Sequence, residues 1–269
     1  MLTSTIVYLY VKLDYKRFTL VYVLNVGILA VLGGPALMLL LMLPLFFLPA
    51  SIVLASGYKG KVSAYRAILA SGLTLVAEMV LLLVGLRLAG YDAFGMLKDN
   101  FNEMLNILPK GTVSPTAVDA FFFTFQQISP FLMLFMGACF AFASHAVCRL
   151  LLTRMDVTVP KLPPMRTLRL PRSTVIYFVV VMVLSLFVRD GSSVLAMISY
   201  NLLPVLLVLL SLQALSFLFF LVAHFHLNKA IPWLVVVLLV FWSGALYIAA
   251  FVGVLDILFP LRARLTDKS

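Results

Sequence analysis

Acidic side chains are scarce in this sequence: ten Asp and Glu stand among 269 residues, against twenty Lys and Arg, and charged residues make up only 11%. Soluble domains carry roughly 25% charged residues. A water-soluble fold this poor in charge could not cover its core. Cysteine is nearly absent too, with only Cys139 and Cys148. Both fall in one apolar helical stretch, roughly 13 Å apart at ~1.5 Å per residue, beyond the ~7 Å that a disulfide tolerates between Cα atoms. Two buried free thiols are expected. The patterns of common catalytic modules are also missing. There is no P-loop, G-x-S-x-G, H-E-x-x-H or paired C-x-x-C, and so no sequence signal for an NTPase, hydrolase, metalloprotease or zinc module. His145 and Cys148 lie three apart, but no second pair completes a zinc ligand set. Neither a metal, a cofactor nor an enzymatic activity is expected. Lys12, the first basic residue, follows an apolar stretch rather than preceding one, and no clear small-residue cleavage site comes after it, so no cleavable signal peptide is expected.

What is present is apolar. Hydrophobic residues make up 64% and the mean hydropathy is +1.14, so lipid must cover much of the surface. Crossing the hydrocarbon takes about 20 apolar residues in a helix. The runs at 18–32, 36–56, 67–88, 120–150, 173–188, 199–224 and 232–258 fit this demand, those at 18–32 and 173–188 being short. They are continuous rather than alternating, which argues against strands. The expectation is an all-α polytopic transmembrane helical bundle of about seven spans, forming one integral membrane domain over 1–269. Its N-terminal helical part is 1–150 and its C-terminal three-helix part 173–258. Residues 1–11 form an apolar fragment too short to span. Gly33-Gly34-Pro35 predicts a tight turn between the first two spans, and Pro44 and Pro49 predict a kink in the second. Between 92 and 108, Phe94, Leu97, Phe101, Met104, Leu105 and Leu108 recur at helical spacing opposite Asp92, Lys98, Asp99, Asn102, Glu103 and Asn106. This predicts an amphipathic helix on a membrane surface or capping the bundle.

The basic residues set the threading. Lys12, Lys16 and Arg17, then Lys59, Lys61 and Arg66, then Arg149, Arg154, Lys161, Arg166, Arg169 and Arg172 all fit the cytoplasmic side. Anionic lipid headgroups, rather than nucleic acid, are their expected neighbours. Seven spans would then put the C-terminus outside, against the preference of Arg262, Arg264 and Lys268.

Few polar residues lie inside the runs. Glu78 is the sole acid well inside a span, and Ser71 and Thr74 share its helix face. A carboxylate at that depth costs roughly 2.5–3.5 kcal/mol on insertion scales, so it is expected to be neutralised or paired. It is either a proton-linked group lining a cavity or a hydrogen bond across the bundle. Gln126, Gln127 and Ser129 precede Pro130, and Asn201, Gln213 and Ser216 lie in the sixth run. Ser71, Thr74, Glu78, Gln126, Gln127 and Gln213 are the candidate cavity-lining residues. Ala245, Ala249 and Gly253 form a small-residue face suited to close helix contact.

Three segments in the last third carry a resemblance. They are LPPMRTLRLPR at 162–172, LQALSFLFFLVAH at 212–224 and GVLDILFPLRAR at 253–264. In this order they resemble the YybS-like family of uncharacterised bacterial polytopic membrane proteins. The resemblance makes Gln213, Asp256 and Arg262 family-like positions. Ala214 stands where glycine is expected and Pro260 where an acid is expected. The family's N-terminal part looks like the substrate-binding subunits of energy-coupling-factor transporters and like MreD, an analogy of fold that leaves function open. It implies a multi-pass protein of the bacterial cytoplasmic membrane whose partners are the lipid bilayer and a membrane subunit or ATPase module. Two functions remain open: a small-molecule binding or transport subunit needing a partner, and a structural or scaffolding protein of the cell envelope.

Overall fold

The structure, a computed structural model, describes residues 2–107, 113–155, 157–191, 193–259 and 261–266, and the side chains of all of these but 2, 29, 30, 32–41, 263, 264 and 266. Helices dominate, and no strand occurs among the described residues. In lipid no water can satisfy a free peptide group, so an apolar run folds as a helix that satisfies its own. The helices are α1 (Leu2–Lys12), α2 (Tyr15–Phe46), α3 (Leu48–Lys59), α4 (Ala64–Leu88), α5 (Ala93–Leu105), α6 (Pro115–Leu152), α7 (Ser173–Ser185), α8 (Val194–His224), α9 (Ala230–Phe241), α10 (Ser243–Leu258) and α11 (Leu261–Thr266). Among the described residues, three helical stretches are long and apolar enough to cross a membrane: α4, α6 with its 3-10 extension to Met155, and α8.

The contacts divide the chain into two compact units, Met1–Phe123 with Leu132–Leu162, and Thr124–Phe131 with Pro163–Ser269. In the first, α1, α3, α4 and α6 share a core around Val7, Leu54, Ala55, Ile68, Ala141, Cys148 and Leu152. Glycine permits the closest approach: a Cβ on Gly137 would lie 2.7 Å from the Gly72 carbonyl oxygen, so α4 and α6 meet backbone to backbone. In the second unit, Val175, Leu207, Leu210 and Ala250 join α7, α8 and α10. Here Ala245, Ala249 and Gly253 are buried, and a Cβ on Gly253 would collide with the Leu210 carbonyl.

Several expected boundaries move. No turn forms at Gly33-Gly34-Pro35; α2 runs through it for 32 residues. Glycine is a poor helix former when water competes for its backbone, and that competition is absent in lipid. The chain breaks instead at Phe47, between Pro44 and Pro49, and Pro49 takes the first turn of α3, where its missing N–H has no helical partner to lose. The run 232–258 is not one continuous helix. Trp242 is extended (φ −127°, ψ 106°) and separates α9 from α10, of 12 and 16 residues. These reach about 18 and 24 Å at ~1.5 Å per residue, short of the ~30 Å hydrocarbon core. Ser243 and Gly244 are weak helix formers, and the Trp242 indole folds against Gly244. Cys148 is buried as expected, but Cys139 is exposed on the outer surface of α6. Nine residues at ~100° each place the two on opposite faces.

The amphipathic segment forms α5, with no residue fully buried. Phe101 packs on Phe121 and Phe122, and Lys98 pairs with Asp119 at 2.7 Å. The hydrogen bond that Lys98 donates to the Asp119 carboxylate raises the Lys98 pKa above its ordinary value. Leu108 lies outside the described residues.

Candidate functional site

The polar side chains of α8 and α10 converge on the proline-rich basic loop that precedes α7. Asp256, near the end of α10, is 2% exposed, and Arg262, in α11, is 5% exposed. The chain leaves α10 through an extended Phe259 (φ −104°, ψ 135°), and Arg262 folds back onto the helix end. Arg262 Nη2 donates to Asp256 Oδ2 at 2.6 Å and Nε donates to Oδ1 at 3.1 Å, the two-pronged grip that a planar guanidinium allows. Its Nη1 donates to the Arg166 carbonyl at 2.8 Å and its Nη2 to Ser216 Oγ at 3.2 Å. Ser216 Oγ in turn donates to the Leu168 carbonyl at 2.8 Å. Phe217 and Phe220 lie beside the guanidinium at 5.8 and 5.7 Å, within cation–π range.

Gln213 completes the cluster. Its Nε2 donates to Asp256 Oδ2 at 2.5 Å, and its Oε1 accepts from the Leu170 amide at 2.9 Å. The family-like positions Gln213, Asp256 and Arg262 thus form one hydrogen-bonded group. A buried ion pair holds its stability only when the remaining donors and acceptors are also satisfied; here the loop carbonyls, the serine and the glutamine supply those partners. Arg262 bonds the loop's backbone at Arg166, which holds the start of the C-terminal segment against the basic loop.

Beside this cluster opens a cleft of about 340 Å³ lined by Arg169, Arg172, Gln213, Asp256, Phe259 and Arg262, among others. Arg169 and Arg172 are exposed, and neither makes an ion pair among the described residues.

The other candidates are distributed between the units. In the first, Ser71 Oγ donates to the Ala50 carbonyl at 2.8 Å, and Thr74 Oγ1 bonds its own helix at Ala70. Both Glu78 carboxylate oxygens are shielded, and no side chain among the described residues bonds them. No backbone group among these residues bonds them either. Ser71 thus ties α4 to the first turn of α3, next to the Phe47 break. In the second unit, Gln126 is exposed and Gln127 half-buried. It is their backbone carbonyls that bond, to Ser129 Oγ and Asn201 Nδ2.

Asn201 has a role that its sequence position hides. Pro130 has no N–H and disrupts the α6 ladder around it. Asn201 Nδ2 donates to the Gln127 carbonyl at 2.8 Å, and Asn201 Oδ1 accepts the Phe131 N–H at 2.9 Å. One amide side chain from α8 thus bridges the irregular turn. Tyr58 and His145 were likewise not paired by the sequence. The Tyr58 hydroxyl meets His145 Nδ1 at 2.7 Å in the first core, across 87 residues of chain.

Comparison with known proteins places this architecture. The chain is 30% identical over 139 residues to a Bacillus subtilis (strain 168) protein described as "Uncharacterized protein YybS", a match covering 51% of this chain and 44% of that protein. The chain thus aligns with less than half the length of the curated relative. No solved structure matches. A family model described as "Predicted membrane protein (DUF2232)" matches residues 1–257. The apolar helices and this match together make the chain a helical membrane protein that belongs to the DUF2232 family.

Proposed function

We propose that the protein is a multi-pass subunit of a bacterial cytoplasmic membrane that binds a small molecule and acts with a partner, an ATPase module where the binding serves transport. The observation that supports this most is the cleft of about 340 Å³ beside the Asp256–Arg262 pair. Its volume falls within the ~300–1,000 Å³ of small-molecule sites, and it brings arginines and an amide together at one place. No catalytic step is assigned. The basic loop clusters support the cytoplasmic-membrane assignment, since such clusters stay on the cytoplasmic face. Native mass spectrometry of the purified full-length chain tests the reading: a bound molecule of defined mass is expected, lost when Leu170 or Phe259 is replaced by Trp to fill the cleft. A chain without such a molecule in independent preparations contradicts it.

The alternative is a structural protein of the cell envelope. It draws support from Gln213, Asp256 and Arg262, whose hydrogen bonds are made within the second unit. Under that reading, filling the cleft changes neither bound mass nor any cellular phenotype, whereas disrupting the small-residue faces does.

A further inference from the structure

We infer that the cleft beside Asp256 and Arg262 is an anion site for a phosphate-bearing group, with Arg169 and Arg172 as its ligands. The inference deepens the small-molecule reading and rests on it. Three arginines and one aspartate line the cleft. Arg262 is committed to Asp256, Ser216 and the loop carbonyls, so this pair cancels its own charge and leaves no free donor for a ligand. Asp256 is 2% exposed and does not present a bare carboxylate to the cleft. The field of the cleft therefore comes from Arg169 and Arg172.

Both are fixed in place by hydrogen bonds that do not involve their own side chains. Arg169 lies between Leu168, whose carbonyl accepts from Ser216 Oγ, and Leu170, whose amide donates to Gln213 Oε1. Its backbone is thus held on both sides. Arg172 follows Pro171 and occupies the N-cap of α7. The first turn of a 13-residue helix adds the positive end of its dipole at the same wall. The backbone that carries the two guanidinium groups is already set, so an oxyanion has only their side chains to order, and the planar fork matches tetrahedral phosphate oxygens. Loops this rich in Lys and Arg between apolar helices belong at a membrane surface. The phosphate could therefore be that of an anionic lipid headgroup or of a soluble phosphorylated molecule.

The test uses the full-length chain in a neutral detergent, titrated separately with inorganic phosphate at constant ionic strength and with phosphatidylglycerol. Binding is followed by phosphorus NMR and native mass spectrometry. The Arg169→Gln/Arg172→Gln variant should weaken binding by about 30-fold, the effect of two charges near a membrane surface. Arg169→Lys/Arg172→Lys should keep the greater part of it. Arg154→Gln, a basic change outside the cleft lining, should leave it unchanged. Binding of phosphate assigns a soluble source, and binding of the lipid alone assigns the headgroup. An unchanged affinity in the double Gln variant, or an equal loss in Arg154→Gln, overturns the inference. A retained molecule that carries no phosphorus overturns it while leaving the small-molecule reading intact. No retained molecule and no response to either probe overturns both.

Discussion

Asp256 and Glu78 are carboxylates in apolar helices, one in each unit, and the protein treats them in opposite ways. Asp256 is gripped by Arg262 and Gln213, and the whole group pins a loop. Neither Glu78 carboxylate oxygen has a hydrogen-bond partner among the described residues. The difference is one of what each carboxylate satisfies. Asp256 neutralises a buried cation that would otherwise be stranded. Glu78 is shielded without a hydrogen bond of its own among the described residues. A full charge pair has more to lose than a carboxyl that bonds nothing.

The sharpest way to break the comparison is to remove one member of the pair. Asp256→Leu or Arg262→Leu leaves the opposite charge buried and should cost about 3–5 kcal/mol in thermal unfolding in detergent. The combined Asp256→Leu/Arg262→Met variant should recover much of that loss, because no charge is then stranded. Equal losses in the single and combined variants would show that the pair is not one unit.

A smaller effect is expected at the other irregular turn. Asn201→Leu removes both groups that bridge Gln127 and Phe131 and should cost about 1–3 kcal/mol, as for unsatisfied buried polar groups. Faster amide exchange at Phe131 would locate the damage there, and unchanged exchange would contradict the bridge. Glu78 is expected to matter least. Glu78→Gln keeps the shape of a side chain whose oxygens make no hydrogen bond and should cost under about 1 kcal/mol. A Glu78→Gln loss as large as that of Asp256→Leu would erase the contrast between the units.

How much of this was legible in the sequence depended on the range of the interaction. Continuous apolar runs identified the helical membrane class, and the phase of Phe94, Leu97, Phe101 and Leu105 located α5 to within a few residues. Chain breaks were harder. Gly33-Gly34-Pro35 punctuates a chain in water, but α2 passes through it. Trp242 is no punctuator, yet it divides the last run, through the weak helix formers beside it and its own indole. Glu78 stands out by its charge, but the structure gives its carboxylate no hydrogen-bond partner among the described residues. Gln213, Asp256 and Arg262 were marked by resemblance, not by spacing. The loop partners of Arg262, the carbonyls of Arg166 and Leu168, lie more than 90 residues away in sequence. Asn201 and Pro130 were both noticed, while their bridge spans about 70 residues and leaves no local pattern.

The account turns on the Asp256–Arg262 group holding the C-terminal segment to the basic loop, and cysteine accessibility tests that most directly. In a Cys139→Ser background, Thr167→Cys and Leu265→Cys are probed with a membrane-impermeant thiol reagent on sealed vesicles of each orientation. Both sites should label from the same side, the cytoplasmic one by the distribution of Lys and Arg. Labelling of Thr167→Cys and Leu265→Cys from opposite sides would contradict the account.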